Sequence, residues 1–310
     1  MKLTIDFQVP NSEWKMDPQD EILSLGSCFS DEIGKRLKKD GFSVETNSLG
    51  VVFHPIPLAK ILHKSIHVKT DTRIVNHEDV CFSWDASGTF FTYDSDSLLK
   101  QFNATILMLH AKLKLAKVLI VTFGTAYGYR HHEFGEIVAN CHKQPINTFK
   151  KELSEVDEME QVWRELIVNL KRFNPFLKII FTVSPVKHLK DGVIENVRSK
   201  ARLIELVHLL EGDYFPSFEI VQEELRDYRF YETDGVHPNE CAVNEVYNRF
   251  RFVYFSEASK SFQEDVSKYN SMKNHRLLYA QSGASKEFEK KTAAFYQELC
   301  AKYSFFNLKK

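Results

Sequence analysis

The sequence predicts an α/β fold, a three-layer sandwich around a central parallel sheet. Short apolar runs recur along the chain, as ILSL at 22–25, VLIVTF at 118–123 and LKIIFTV at 177–183. Each is closed by a Gly or a Ser-Pro pair and followed by a segment whose apolar residues fall three or four apart, the change from strand to helix periodicity. Strands and helices alternating at this spacing imply parallel pairing through right-handed crossovers, with helices on both faces.

The elements follow in order. Residues 1–21, with Pro10, Asn11 and Pro18, read as a lead-in arm carrying an edge strand at 3–9. The first strand, 22–25, turns at Gly26 into a helix marked by Phe29, Ile33 and Leu37. Gly41 stops that helix and 42–46 alternates as a second strand. A loop at 47–50 leads to a short helix, 56–66, introduced by Pro55 and Pro57. Val80, Phe82 and Trp84 alternate, 85–88 carries turn chemistry and 90–93 answers it, so a β-hairpin insertion is expected near 75–93. Leu98, Phe102, Ile106, Leu109 and Leu113 mark a helix, and VLIVTF a fully buried strand that breaks at Gly124.

A polar loop, 125–148, hangs from that strand, and loops of this length are usually functional or disordered. A helix with Val162, Leu166 and Leu170 follows, then the strand at 177–183 and a helix with Val197, Ala201, Ile204 and Leu210. A weaker strand at 218–221 precedes the closing helix of Val243, Val246, Tyr247 and Phe250. Residues 1–255 are expected to form one α/β domain, and 256–310, with an amphipathic helix at 288–299, a helical appendage.

At 310 residues the chain is long enough for a sizeable core, and 43% apolar residues are ordinary for a globular protein. The 41 Lys and Arg nearly cancel the 42 Asp and Glu, so no overall field favours nucleic acid or an anionic membrane. The N-terminus lacks a signal peptide's apolar core, and no run approaches the roughly 18 apolar residues of a spanning helix. A cytoplasmic protein is expected, with neither nucleic acid nor membrane as partner. Five scattered cysteines in no zinc-type spacing argue against disulfides and a structural metal.

Two stretches carry chemistry. Ser27 and Cys28 stand at a strand's carboxyl end and a helix's positive mouth, where open α/β sheets keep their sites. In the second, Asp234-Gly235-Val236-His237-Pro238-Asn239, a carboxylate three residues before an imidazole can hold it as a base. Pro238 also fits an ordinary capped helix with a surface His.

Together these stretches resemble the SGNH (GDSL-like) hydrolases, and GSCFS at 26–30 resembles the signature of their GSCFA branch. The likeness extends through GTAYGYRH at 124–131, VANCHKQP at 138–145, TVSPVKHLKDG at 182–192 and the Asp234 block. It implies a flavodoxin-like sheet and a hydrolase or acyltransferase acting on an ester or thioester, an O-acylated carbohydrate among them, without a cofactor. On this alignment Cys28 takes the nucleophile position and Ser27 the preceding Asp position, with Ser27 the alternative nucleophile. Asp234 and His237 complete a triad. A thiol at a helix mouth beside a His is expected to have a lowered pKa. The resemblance assigns the oxyanion hole to Gly50, Gly124 and the N–H of Cys28. The family's Asn is replaced at Ala126, which leaves Asn140 as the candidate amide.

Arg130, His142 and His188 are candidate substrate contacts. His131, His132 and His142 lack the carboxylate or Cys partners that would fix a metal geometry, so no metal is expected. Trp84 and Phe91 near a hairpin tip would suit sugar stacking, although core aromatics are commoner. A second class stays open: a binding or scaffold protein that kept the fold and lost the reaction.

Overall fold

The apolar runs become strands and the segments between them helices, in the order β1 (Glu21–Gly26), α1 (Cys28–Lys39), β2 (Ser43–Thr46), α2 (Pro55–His67), β3 (Ile74–His77), β4 (Val80–Ser83), β5 (Phe91–Thr92), α3 (Ser95–Leu115), β6 (Val118–Phe123), β7 (Tyr127–His131), β8 (Phe149–Leu153), α4 (Val156–Phe173), β9 (Lys178–Val183), α5 (Val193–Leu209), β10 (Asp213–Tyr214), α6 (Ser217–Glu219), α7 (Glu240–Tyr254), α8 (Glu257–Lys273) and α9 (Gly283–Lys302). The structure, a computed structural model, describes residues 5, 7–279 and 281–306. Much of the edge strand expected at 3–9 lies outside the described residues, and 7–9 form no strand.

Five strands pair in the order β2-β1-β6-β9-β10, all parallel. This is the flavodoxin-like order, in which the chain reverses direction between β1 and β6 and opens a crevice beyond their carboxyl ends. Gly26 pairs with Thr122, and Phe123 with Val183, so the loops after β1, β6 and β9 leave the sheet side by side.

Both faces of the sheet are covered. Leu23, Leu25, Leu119, Val121, Phe123, Ile179, Phe181 and Val183 share one core with α2, α3, α4 and α5. The alternate residues Ile22, Val118, Ile120 and Ile180 share another with α1, α7 and α8. Alternation with apolar partners on each side is why these strands read as unbroken apolar runs. The tail joins the second core. Phe262 of α8 packs against Phe42, and Leu299 of α9 is buried in the same cluster.

Several local expectations are corrected. The inserted hairpin is a three-stranded antiparallel sheet, β3-β4-β5, and the 125–148 loop begins with β7, which pairs antiparallel with β8. The strand expected at 218–221 is helical, since α6 runs into a π-type helix at Ile220–Leu225. The edge strand is β10 instead. Pro216 cannot donate to a ladder, and Ser217 Oγ donates to Val183 O (3.0 Å), tying the chain to the end of β9.

The face of α5 is the most informative correction. The expected stripe is half turned outward: Val197 is 57% exposed and Ala201 is exposed, like Ile194 before them at 74%, whereas Ile204 packs against the core and Leu210 is buried. The buried face consists of Asn196, Ser199, Lys200, Leu203, Leu206 and Val207. Its polar half lies under the carboxyl ends of the strands.

Candidate active site

The turn after β1 is fixed by backbone geometry. Gly26 has φ +132°, and a Cβ there would lie 2.1 Å from Thr122 O, so no side chain fits. Ser27 N donates to Thr122 O (2.9 Å), and Asn47 Oδ1 accepts from Gly26 N (2.8 Å) while its Nδ2 donates to Asp31 (2.9 Å). Ser27 is buried, with Oγ accepting from Phe29 N (3.2 Å) as the N-cap of α1. Cys28, one residue on, is half-buried and opens into a cavity of about 560 Å³.

His237 lines the same cavity, together with Val186 and Pro238. Its Nδ1 is 2.7 Å from Asp234 Oδ2, and Asp234 Oδ1 accepts from the backbone N–H of Val236 (2.8 Å) and of His237 (3.0 Å). Hydrogen bonds from His237 and from these amides hold the Asp234 carboxyl at about 2. Lys187 N donates to Val236 O (3.2 Å), and its ammonium sits 3.8 Å from the Tyr231 ring centroid, so the loop after β9 clasps the His237 loop. Asn239 caps α7 directly behind it.

Among the described residues the Cys28 thiol makes no direct hydrogen bond to His237. The expected lowering of the thiol pKa is overturned. Burial pushes Cys28 up and the Asp31 carboxylate adds to it, against the smaller pull of the N–H groups of Cys28 and Phe29 and of Lys200. The helix mouth acts in the expected direction but is outweighed by desolvation.

The remaining candidates divide into two groups. Gly124 and His188 are at the site. A Cβ on Gly124 would lie 2.6 Å from Phe53 Cβ, 3.2 Å from His188 Nε2 and 3.3 Å from Ser27 Cβ. Burial first, then the charges of Lys200 and His237, hold His188 at about 4, a neutral imidazole. The N–H of Gly124, however, donates to Phe53 O (2.8 Å). Gly50 lies in the segment whose Val52 N donates to Gly26 O (3.2 Å), but its own N–H donates to Asn47 O (2.6 Å). Both amides are therefore engaged within the protein.

Asn140, Arg130 and His142 are placed elsewhere. Asn140 Oδ1 accepts from His142 N (2.8 Å), and its amide abuts Gly88 of the β4–β5 turn. The Arg130 guanidinium is held by Glu152 (2.7 Å), Glu158 (2.7 Å) and Gly135 O (2.9 Å), beside a separate cavity of about 350 Å³. His142 is buried, with Nε2 donating to Ser83 O (2.8 Å) and its ring stacked on Phe82 at 4.7 Å. Burial keeps it neutral, with a pKa of about 4. Trp84 is likewise packed inside, against His131 and Phe149.

The polar face of α5 is what sequence reasoning missed. Asn196 Oδ1 accepts from His188 N (2.8 Å), and Ser199 Oγ accepts from Ala126 N (2.8 Å). Lys200 Nζ donates to Gly124 O (2.6 Å) and Ser184 O (2.7 Å). Three consecutive contacts thus fix the loops after β6 and β9. The signal was present as the i, i+3, i+4 spacing of Asn196, Ser199 and Lys200, polar residues on the face that continues through Leu203 and Val207.

Among the described residues no group of three His, Cys, Asp or Glu is arranged to hold a metal ion. No described helix is long and apolar enough to cross a membrane. No curated protein matches the chain. The model of the GSCFA family matches residues 21–250, a span that holds all five strands of the parallel sheet and both loops of the site. The chain therefore belongs to the GSCFA family.

Proposed function

We propose that this protein is an SGNH-like hydrolase or acyltransferase that works on an ester or thioester through a covalent intermediate on Cys28. The observation that carries the reading is the cavity shared by Cys28 and the Asp234-held His237, at the point where the parallel sheet reverses its strand order. A thiol whose pKa is raised stays protonated near neutrality and needs a base to attack. In the proposed reaction the Cys28 proton passes to His237 Nε2 as sulfur adds to the acyl carbon. The oxyanion collapses, the bond to the leaving oxygen or sulfur breaks, and imidazolium returns the proton to the leaving group. Water or an alcohol then releases the acyl group by the reverse sequence. Hydrogen bonds of this kind often tighten only when substrate is bound.

Glu32, Lys35, Arg36, Glu232 and Glu240 surround the cavity, so its walls suit a polar, hydroxyl-rich partner such as an acylated carbohydrate better than an aliphatic chain. The test is hydrolysis of aryl esters and acyl-thioesters by wild type, Cys28→Ala, His237→Ala and Ser27→Ala. The first two variants lose on the order of 10² to 10⁴ in rate. Ser27→Ala keeps turnover but loses about 1 kcal/mol of stability with its cap. Equal turnover in all four proteins overturns the mechanism.

The rival reading, a binding protein on the same fold, is favoured by the missing bond between Cys28 and His237 and by the engaged amides of Gly50 and Gly124. It predicts saturable binding of an acylated sugar with no turnover in any of the four.

A further inference from the structure

A cavity of about 720 Å³ lies at the opposite end of the sheet from Cys28, against the amino-terminal end of β9. Small-molecule sites usually enclose about 300–1,000 Å³. One wall is the arm that precedes β1, and the other is the start of β9 with the turn into β10. The arm is pinned there: Ser12 Oγ donates to Asp213 Oδ2 (2.7 Å), Lys15 Nζ to Val253 O (2.5 Å) and Met16 N to Tyr254 O (2.7 Å). Neither the arm nor Tyr254 falls within residues 21–250, so the cavity is completed by parts that flank the span matched to the family.

Tyr254 is 1% exposed and lines the cavity, yet its hydroxyl bonds to nothing among the described residues. Buried hydroxyls are normally paired. Unlike Ser30 Oγ and Thr122 Oγ1, which are sealed without a partner, this oxygen retains surface, and the cavity is where it opens. Burial first and the Asp213 carboxylate second hold its pKa above the usual tyrosine value, so it remains a donor. Trp14 packs on the Tyr254 ring with centroids 5.4 Å apart, and its indole N–H likewise has no partner among the described residues. Asp213 gives one oxygen to Ser12, and its Oδ1 accepts no hydrogen bond among the described residues.

One recess therefore offers an aromatic ring, two unpaired donors and a carboxylate acceptor. Its charges nearly balance, since Glu211 is paired with Lys171, and Glu13 and Asp213 share the cavity with Lys178. We propose that this cavity binds a neutral sugar residue, whose C–H face lies on Trp14 and whose hydroxyls bond to Asp213 and to the Tyr254 O–H. A sugar carries donors and acceptors side by side, whereas a ligand with only one kind would leave the other partner unsatisfied. The six residues of β9, about 3.3 Å each, separate this site from the Cys28 cavity. The proposal rests on nothing at Cys28 and holds for an enzyme and a binding protein alike.

The test is titration of the full chain with glucose, galactose, mannose and N-acetylglucosamine, followed by tryptophan fluorescence and saturation-transfer NMR. Trp84 and Trp163 are buried, which leaves Trp14 as the indole a ligand can reach. Wild type is expected to bind at least one of these sugars saturably. Tyr254→Phe removes an oxygen that holds nothing in the protein, so it is expected to weaken binding about fivefold with the melting temperature unchanged or higher. Trp14→Ala is expected to weaken binding at least about tenfold. Glu32→Ala, at the Cys28 cavity, is expected to leave it unchanged. Binding that survives Tyr254→Phe intact, or is lost in Glu32→Ala, places the sugar elsewhere and overturns the proposal. A lower melting temperature in Tyr254→Phe, or no saturable binding of any of the sugars, also overturns it. Should Trp14→Ala fail to fold, the comparison of wild type with Tyr254→Phe decides alone.

Discussion

The corner where β1 meets α1 and the corner where β9 meets α5 serve the same cavity by opposite means. At the first, backbone dominates: Gly26 has no room for a side chain, Ser27 caps the helix, and Phe29, Ile33 and Leu37 bury one apolar stripe. At the second, side chains dominate, since Asn196, Ser199 and Lys200 turn inward to bond the loops while Ile194 and Val197 face water. Packing alone positions a helix against strand middles, where only apolar surface is offered. Against strand ends the neighbours are backbone amides and carbonyls, and polar side chains make the better partner.

The difference can be broken experimentally, beginning with its rigid half. Gly26→Ala forces a Cβ to within 2.1 Å of Thr122 O, and we expect a loss above about 4 kcal/mol or no folded chain, measured by urea unfolding. On the polar corner, Leu203→Ala empties a fully buried position and should cost about 2–5 kcal/mol, whereas Ile194→Ala stays within about 0.5 kcal/mol. Equal losses at these two positions would contradict the division of α5 into a buried and an exposed face.

A third measurement separates the charge of Lys200 from its bonds. Folded, Lys200 releases its proton near pH 7, against an ordinary value of 10.5. Between those limits the unfolded chain holds the extra proton, so this group's contribution to folding stability rises with pH. The burial cost is complete below pH 7 and gone above 10.5. Wild type should therefore gain on Lys200→Met by an amount on the order of a few kcal/mol between pH 7 and pH 10, and a constant difference would place the ammonium in contact with water.

The parallel sheet was legible because strands buried on both faces repeat an apolar signal that few other structures produce. The β1–α1 turn was legible too, as Gly followed by a capping hydroxyl. The β7–β8 ribbon was not, since Tyr127–His131 and Phe149–Leu153 mix aromatic and charged residues on a surface that is only partly covered. The α5 face misled for a related reason. Val193, Ile194 and Val197 are apolar without being covered, and apolarity marks a buried face only where the partner surface is itself apolar. Of the site, the Asp234–His237 pair could be read from spacing. The thiol's upward shift could not, because it depends on how much water the fold removes around Cys28 and on Asp31 one turn along the helix.

The Asp234–His237 pair stands half in solvent, with side chains 48% and 51% exposed. Water at that depth shields the two charges from each other and from whatever approaches. A guest that fills the space above Cys28 would expel the solvent and sharpen the attraction at the moment of contact. Large ligands would thus draw the pair together more firmly than small ones, with occupancy itself setting the dielectric.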